Sequence, residues 1–74
     1  MIKKGDYVSF GSEFRAIVLG GQRTIERYDD FGNGGLFVGV VPIVIVHARN
    51  SADSKYVGRK KLAQLNTIRK LRVQ

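Results

Sequence analysis

The 74-residue sequence contains no cysteine and no tryptophan. The absence of cysteine excludes disulfide bonds and every metal site that uses thiolate ligands. It also fits a protein of a reducing compartment, and we expect a cytoplasmic location. There is one histidine, His47, so no second imidazole can share a metal ion with it. We therefore expect no bound metal, and we predict no cofactor.

Long apolar runs are also missing. The longest, LFVGVVPIVIV at residues 36–46, is interrupted by Gly39 and Pro42. It falls short of the roughly 20 residues that a membrane-spanning helix needs. The first ten residues, MIKKGDYVSF, contain two lysines but no apolar stretch after them, so we expect no signal peptide. The sequence predicts a soluble protein without a membrane partner.

Acidic residues are absent from the last twenty positions. Residues 1–54 carry six basic and six acidic side chains and are neutral overall, whereas residues 55–74 carry seven basic side chains and no acid. The formal charge of +7 therefore lies entirely in the C-terminal segment. A chain of this length forms one domain. We predict a single domain, 1–74, with a charge-neutral β body at 1–54 and a basic segment at 55–74.

Most of the neutral body has the pattern of β-strands. In the first predicted strand, Val8 and Phe10 alternate with Tyr7 and Ser9, as in a half-buried strand. Glycines or short polar segments separate this strand from the next ones, and we find no internal repeat. The predicted strands are DYVSF (6–10), FRAIVL (14–19) and TIERYD (24–29), with a turn at GSE (11–13).

The glycine-rich segment GNGG at residues 32–35 predicts a hairpin turn after the third strand. Asn-Gly pairs favour the positive φ angles of a type I′ turn. With Asn33 and Gly34 at the centre of this turn, Tyr28 would face Gly39, and the tyrosine ring would cover the gap that the glycine leaves. FGNGG lacks the following helix and the lysine of a phosphate-binding loop, so we interpret it as a turn.

The apolar run that follows predicts one long bent strand, or two strands that separate at Pro42, because proline cannot donate a backbone hydrogen bond. Both faces of this segment would be apolar. A chain this short has little with which to cover both, and a homodimer through residues 36–46 is the expected remedy. One face would present Leu36, Val38, Val40, Val44 and Val46, and the other Phe37, Val41, Ile43 and Ile45.

The basic segment is predicted to contain a short helix followed by a strand. At about 100° per residue, apolar residues spaced by three drift halfway round a helix. A single straight helix over 59–72 would therefore lack an apolar stripe. We favour a two-turn helix over 59–66 that buries Leu62 and Leu65. An extended segment over 67–73 would then pair with the first strand.

No arrangement of catalytic residues is evident. Asp29 and Asp30 are adjacent, so in a strand their side chains would point to opposite faces and could not act as an acid–base pair. No nucleophile motif surrounds any serine. His47 ends an apolar strand, and we interpret it as a structural histidine. We predict that the protein is not an enzyme.

The opening KKGDYVSF, the short turn and FRAIVLGG together resemble the first hairpin of small SH3-like barrels of the KOW and Tudor type. The shared pattern is a basic-Gly-Asp-aromatic-Val entry followed by an apolar strand that ends in glycine. The resemblance implies RNA, DNA or RNA-polymerase-associated binding. The turn after Phe10 is shorter than in signalling SH3 domains, so proline-peptide binding is not implied. We predict a mainly β fold, either a small SH3-like barrel or a strongly bent antiparallel sheet, with one short helix near the C-terminus.

The basic segment is the candidate binding surface. Clustered lysines and arginines neutralise phosphates and release counterions, and a tyrosine can stack on an unpaired base. We therefore predict non-catalytic binding of nucleic acid, DNA or RNA. The predicted binding residues are Lys55, Tyr56, Arg59, Lys60, Lys61, Arg69, Lys70 and Arg72, joined by Lys3 and Lys4 if the first and last strands pair.

Three other interpretations of the basic segment remain. The chain could be a small inhibitor or adaptor that docks on an acidic protein surface of a larger machine, such as a polymerase or nuclease. A membrane surface is disfavoured because the apolar residues of the segment do not form one helical face. A merely solvated charged face is disfavoured because seven like charges repel one another and cost stability.

Overall fold

The computed structural model describes residues 2–28, 31–32 and 34–71. Within these residues the chain forms six β-strands and two short 3-10 helices, so the prediction of a mainly β fold is confirmed. No helix in this part of the chain is long and apolar enough to cross a membrane. The elements are β1 Tyr7–Phe10, β2 Phe14–Val18, β3 Arg23–Arg27, β4 Leu36–Ala48, a 3-10 helix Ser51–Tyr56, β5 Lys60–Gln64, a 3-10 helix Leu65–Thr67 and β6 Ile68–Lys70.

The strands form one strongly curled antiparallel sheet. Its order is β3-β4-β2-β1-β6, and β5 pairs with the other edge of β4. Val40 pairs with Arg23 of β3 and also with Gln64 of β5, which places these two strands on opposite edges of β4. The curled sheet is a half-barrel, compatible with an SH3-like barrel.

Strand β4 continues through Pro42 as one strand, as in the first of the two predicted alternatives. One edge of β4 pairs with β3 over 36–40 and with β2 over 43–48, leaving Pro42 at the junction. The carbonyl of Pro42 accepts a hydrogen bond from the Leu19 amide at 2.8 Å on that same edge. In an antiparallel strand the N–H and C=O of one residue point to the same edge. The N–H that Pro42 lacks would therefore point to the junction between β3 and β2. No residue of either strand pairs with Pro42 there, so the missing N–H costs no strand hydrogen bond.

The core lies on one face of the curled sheet. Alternate residues of a strand point to the same face, so β2 and β4 contribute two side chains each to the core cluster, β1, β5 and β6 contribute one each, and β3 contributes none. The buried cluster combines Val8, Ala16, Val18, Val41, Ile43, Ala63 and Ile68, with Ile2, Phe10 and Leu65 packed against it. The core is aliphatic and small, as expected of a chain of this length.

The predicted hairpin turn is wrong in register and in type. Thr24, not Tyr28, faces Gly39, and the β3–β4 pairing ends with Arg27 opposite Leu36. Positive φ angles occur at Gly32 (80°) and Gly35 (99°) but not at Gly34, whereas a type I′ turn centred on Asn33-Gly34 needs one there. Asn33 itself lies outside the described residues.

The ring of Tyr28 covers a different glycine from the predicted one. A Cβ atom at Gly34 would overlap this ring, so the tyrosine occupies the space that the absent side chain leaves. The idea that a tyrosine covers a glycine therefore fits Gly34 and fails for Gly39. At Gly39 a Cβ would instead meet the side chains of Gln22 and Leu65.

The predicted α-helix over 59–66 is also wrong. Residues Lys60–Gln64 form β5, which pairs with residues 40–44 of β4. In a strand, neighbouring side chains alternate between faces, so Ala63 is buried while Leu62 remains 48% exposed. Beyond β5, the described residues form helical structure only in the 3-10 turn at Leu65–Thr67.

The predicted pairing of the first and last strands is confirmed. β6 runs antiparallel to β1, with Phe10 opposite Ile68 and Val8 opposite Lys70. The Leu71 amide extends the ladder by donating to the Tyr7 carbonyl at 2.9 Å. The rest of the predicted segment, residues 72 and 73, lies outside the described residues.

Burial predicts contrasting effects for two aliphatic substitutions. Ile43 is fully buried, so Ile43→Ala should lower the free energy of unfolding by about 2–5 kcal/mol through lost burial and a cavity. Leu62→Ala, at a half-exposed site, should cost less than about 1 kcal/mol. Urea unfolding followed by circular dichroism measures both. Equal losses of unfolding free energy in the two variants would mean that Leu62 is buried, as in the predicted α-helix over 59–66.

The turn before β5 generates a second prediction. Gly58 has a φ of +90°, so Gly58→Ala should lower the free energy of unfolding by about 1–3 kcal/mol through backbone strain. Gly21→Ala is the matched control, because Gly21 has no positive φ and a Cβ there meets no atom within 4 Å. The control should change stability by less than about 0.5 kcal/mol in the same unfolding assay. Equal stability of both variants would contradict the strained turn.

Candidate functional site

Three aromatic rings form a row beside the turn between β1 and β2. Phe10 and Phe14 are directly opposite each other in the ladder, with ring centroids 6.1 Å apart and an interplanar angle of 26°. The ring of Tyr56 meets Phe14 edge to face, at 5.9 Å and 88°. The three-residue connection places two phenylalanines on the same face of the sheet, since opposite residues of an antiparallel pair share a face. We call Phe10, Phe14 and Tyr56 the aromatic row.

Positive side chains lie over this row. The Lys55 ammonium is 5.2 Å from the Tyr56 ring centroid, and the Arg59 guanidinium is 5.5 Å from it. The Lys61 ammonium lies 4.5 Å from the centroid of Phe10. These distances are within the range of cation–π attraction. The rings therefore hold the cations of the basic segment against an aromatic surface.

Backbone hydrogen bonds fix the segment that carries these cations. The Gly58 amide donates to the Ile45 carbonyl at 2.7 Å, and the Ile45 amide donates to the Arg59 carbonyl at 3.0 Å. These two bonds extend the β4–β5 ladder past Lys60. The Arg59 amide also donates to the Tyr56 carbonyl at 3.1 Å, which closes the turn. The positive φ of Gly58 makes this close return possible.

The aromatic row and the basic segment enclose an open cleft of about 580 Å³. The buried side chain of Ile45 contributes to its floor. The cleft is of a size that accommodates a small ligand or part of a polymer. Its lining residues are Phe10, Glu13, Phe14, Ile45, Asp53, Tyr56, Arg59, Lys60 and Lys61. We call this space the aromatic cleft. We call Arg59, Lys60 and Lys61, which line it, and Lys55, which lies over the Tyr56 ring, the cleft cations.

Two carboxylates line the same cleft. The Asn50 side-chain amide donates to Glu13 at 2.8 Å and to Asp53 at 3.4 Å, so it bridges the two acids. The Ser12 hydroxyl donates to the other oxygen of Glu13 at 3.1 Å. The Arg49 amide donates to the Glu13 carbonyl at 2.7 Å, which ties the β1–β2 turn to the end of β4. The cleft therefore presents cations, rings and anchored carboxylates together.

The structure brings the first predicted basic group together. Lys55, Tyr56 and Arg59 are in mutual contact through the tyrosine ring. Lys60 and Lys61 both line the aromatic cleft. The prediction that these five residues share one surface therefore agrees with the fold.

The second predicted group is divided. Lys70 forms an ion pair with Asp6 at 3.7 Å, and the Lys3 amide donates to the same Asp6 oxygen at 2.9 Å. Lys3 and Lys4 are exposed and lie in the segment just before β1, and Lys3 is linked to Lys70 of β6 through Asp6. Arg72 lies outside the described residues.

Arg69 lies on the other face of the sheet from the core. It is opposite Ser9, which is itself opposite Arg15, so these three side chains share one face. They line a second, more polar groove of about 480 Å³. The remaining lining residues are Gly11, Ser12, Asn66, Thr67 and Leu71. Arg69 is thus separated from Lys70, although the two are adjacent in sequence.

The sequence analysis identified Tyr56 but missed the other two rings of the aromatic row, Phe10 and Phe14, and the two carboxylates. Phe10 and Phe14 flank a three-residue turn, and this spacing could have identified them as a cross-strand pair. Nothing in the sequence marks Glu13 and Asp53 as neighbours, because they are 40 positions apart and the fold brings them together, with Asn50 bridging their side chains.

Among the described residues there is no group of three or more His, Cys, Asp or Glu side chains able to hold a metal ion. His47 is exposed and lies opposite Arg15 in the ladder, which leaves it without an acidic neighbour in that pair. The absence of enzymatic activity stays a prediction.

Comparison with known proteins adds no family assignment. No protein-family model matches the chain, and comparisons with curated proteins and with solved structures find no match.

Proposed function

We propose that the chain is a non-catalytic nucleic-acid-binding protein and that the aromatic cleft is its binding surface. The observation that carries this proposal is the placement of lysine and arginine groups 4.5–5.5 Å from aromatic ring centroids around one open cleft. Cations attract phosphates, and rings stack on bases. Both surfaces of a nucleotide therefore find a complementary group in the same place.

The cleft cations are available to a ligand. In the described part of the chain, none of the four has a carboxylate within salt-bridge distance, whereas Lys70 is paired with Asp6. All four are exposed. Unpaired like charges held near one another repel and cost stability, so their retention is consistent with a bound polyanion.

The resemblance of the first hairpin to KOW and Tudor barrels supports the same proposal. The curled half-barrel is compatible with that architecture. A KOW-like barrel implies binding to RNA, DNA or an RNA-polymerase-associated partner. We assign the chain to this kind of binding module as part of the proposal.

Charge reversal in the cleft tests the proposal. Lys60→Glu with Lys61→Glu should abolish measurable affinity for nucleic acid, because it replaces two phosphate-binding charges by two repelling ones. For the unmodified protein, contact of the four cleft cations with a single strand should make log affinity fall against log salt with a slope of about −3. Fluorescence anisotropy with labelled oligonucleotides at several salt concentrations measures both quantities.

The matched control reverses two arginines of β3. Arg23→Glu with Arg27→Glu makes the same change in net charge on a strand that does not line the aromatic cleft. It should retain binding, with a moderate loss from long-range attraction. Equal losses for the two double variants would mean that net charge, and not the cleft, determines binding.

An acidic protein surface would also show salt-sensitive binding, so a second comparison is needed. A pull-down with the protein from lysate treated with nuclease, beside untreated lysate, separates the two partners. Loss of the captured partners after nuclease supports nucleic acid. Capture that resists nuclease and is lost in the Lys60→Glu, Lys61→Glu variant supports the inhibitor or adaptor function instead.

We also propose a homodimer, with the interface confined to the start of β4. Val40, Val41, Ile43 and Ile45 are buried within the chain, so they are not available to a partner. Leu36 and Phe37 remain 66% and 67% exposed. The radius of gyration is 13.4 Å, against about 11 Å expected for a compact chain of this length. Leu36 and Phe37 belong to the β3–β4 pairing, and no described residue from Arg23 to Val40 is part of the core cluster.

Sedimentation velocity at micromolar concentration tests the dimer. The unmodified protein should sediment as a dimer, and Phe37→Asp should sediment as a monomer because a charge is placed in the apolar contact. Val57→Asp, at a residue that is 43% exposed outside the hairpin, is the control and should remain dimeric. A monomer for the unmodified protein would rule the proposal out.

A further inference from the structure

The geometry of the aromatic row distinguishes between a paired and an unpaired base. In a duplex the faces of the bases are stacked on one another, and only their edges are accessible in the grooves. The rings of Phe10 and Phe14 are partly buried within the cleft, beside the edge-on ring of Tyr56. An aromatic surface in such a position can stack only on a base that has left the helix, as in single-strand recognition.

The two carboxylates need a separate explanation. A surface that bound phosphates alone would be weakened by Glu13 and Asp53, because both carry negative charge into the cleft. Carboxylates do, however, accept hydrogen bonds from the exocyclic amino groups of bases, as in acid–cytosine contacts. Their presence beside aromatic rings is therefore consistent with recognition of a base edge.

The contacts of the two acids leave room for a base. Asn50 occupies one acceptor direction on each carboxylate, and Ser12 occupies one on Glu13. An ionised carboxylate has about four acceptor positions, so both acids keep free ones. The Asn50 bridge also fixes their positions, so little ordering of these groups is needed when a base binds.

We propose that the aromatic cleft binds single-stranded nucleic acid, with a base stacked on the aromatic row and its exocyclic amino group donated to Glu13 or Asp53. Lys55, Arg59 and Lys61, which lie over the rings in the free protein, move from the rings onto the phosphates on either side of this base. Cytosine and adenine carry an exocyclic amino group at position 4 or 6 and guanine carries one at position 2, whereas thymine and uracil have none and present a carbonyl oxygen at position 4. The site therefore prefers amino-bearing bases. This inference rests on the proposed function and specifies its ligand.

Oligonucleotides of one base test the inference. Labelled single strands of cytidine or thymidine deoxynucleotides, about ten nucleotides long, cover a typical site on a small barrel. Both bases are single-ring pyrimidines, and thymine has a carbonyl oxygen in place of the amino group but also a C5 methyl group. A deoxyuridine strand, which lacks that methyl group, is therefore the second comparison and should bind as weakly as the thymidine strand. The cytidine strand should bind about 10-fold more tightly than the thymidine strand, the usual discrimination of one specific base contact. A duplex of equal length should bind more weakly than the cytidine strand.

The variant Glu13→Gln isolates the carboxylate. It preserves size but removes the negative charge and adds an N–H donor that suits the thymine carbonyl. Affinity for the thymidine strand should rise while the preference for cytidine falls. If Glu13 only repelled phosphates, Glu13→Gln would raise the affinities for the cytidine and thymidine strands equally. If Glu13 only stabilised the fold, the substitution would lower both affinities. Glu26→Gln on β3 makes the same chemical change outside the cleft and should alter neither affinity.

The variant Phe14→Leu isolates stacking. It should weaken single-strand binding by about 5-fold to 150-fold, the range for loss of one base–aromatic contact, with the duplex affinity unchanged. Thermal unfolding checks that each variant is folded. If Phe14→Leu does not fold, the comparison of Glu13→Gln with the unmodified protein still tests the inference.

Two results would overturn the inference and leave the proposed function standing. One is equal affinity for the cytidine and thymidine strands, and the other is duplex binding as tight as that of the cytidine strand. Binding of no oligonucleotide of either form, with the protein folded, would instead overturn the proposed function itself.

Discussion

Thirteen consecutive residues of β4 require partners for their backbone groups on two edges, and this requirement organises the rest of the fold. One edge is paired first with β3 and then with β2, and the other edge is paired with β5 over residues 40–44. The same strand contributes Val41 and Ile43 to the core and Ile45 to the floor of the aromatic cleft. Consecutive inward-facing residues of β4 therefore connect the core to the candidate site.

The strands with clear alternation of apolar and polar residues could be predicted from the sequence. β1 and β2 follow this rule, and the pairing of β6 with β1 followed from the need to place the last apolar residues. β5 could not be predicted in this way, because KKLAQ has little local preference for a strand. It is a strand because the free edge of β4 supplies hydrogen-bond partners along its length. The hairpin register was missed since the connection is longer than its Asn-Gly pair suggested.

Of the candidate site, only the basic residues around Tyr56 could be predicted from the sequence. The absence of acids after residue 54 identified the basic group that surrounds Tyr56. The carboxylates on the other side of the cleft come from the neutral body, where Glu13 and Asp53 looked like ordinary polar residues. Their meeting depends on the Asn50 bridge, and a contact between distant segments leaves no local trace in a sequence. A surface that appears uniformly basic in sequence is thus mixed in three dimensions.

Strand β3 lies at an end of the described sheet, so the backbone groups of its outer edge face away from the other strands. Such an edge is a template on which a strand of another molecule can add, and repeated addition produces aggregates. Arg23, Glu26 and Arg27 place exposed charges on three of its five positions. An incoming copy would have to bury or oppose these charges. Residues that take no part in the aromatic cleft therefore protect the protein against polymerisation through its own hairpin.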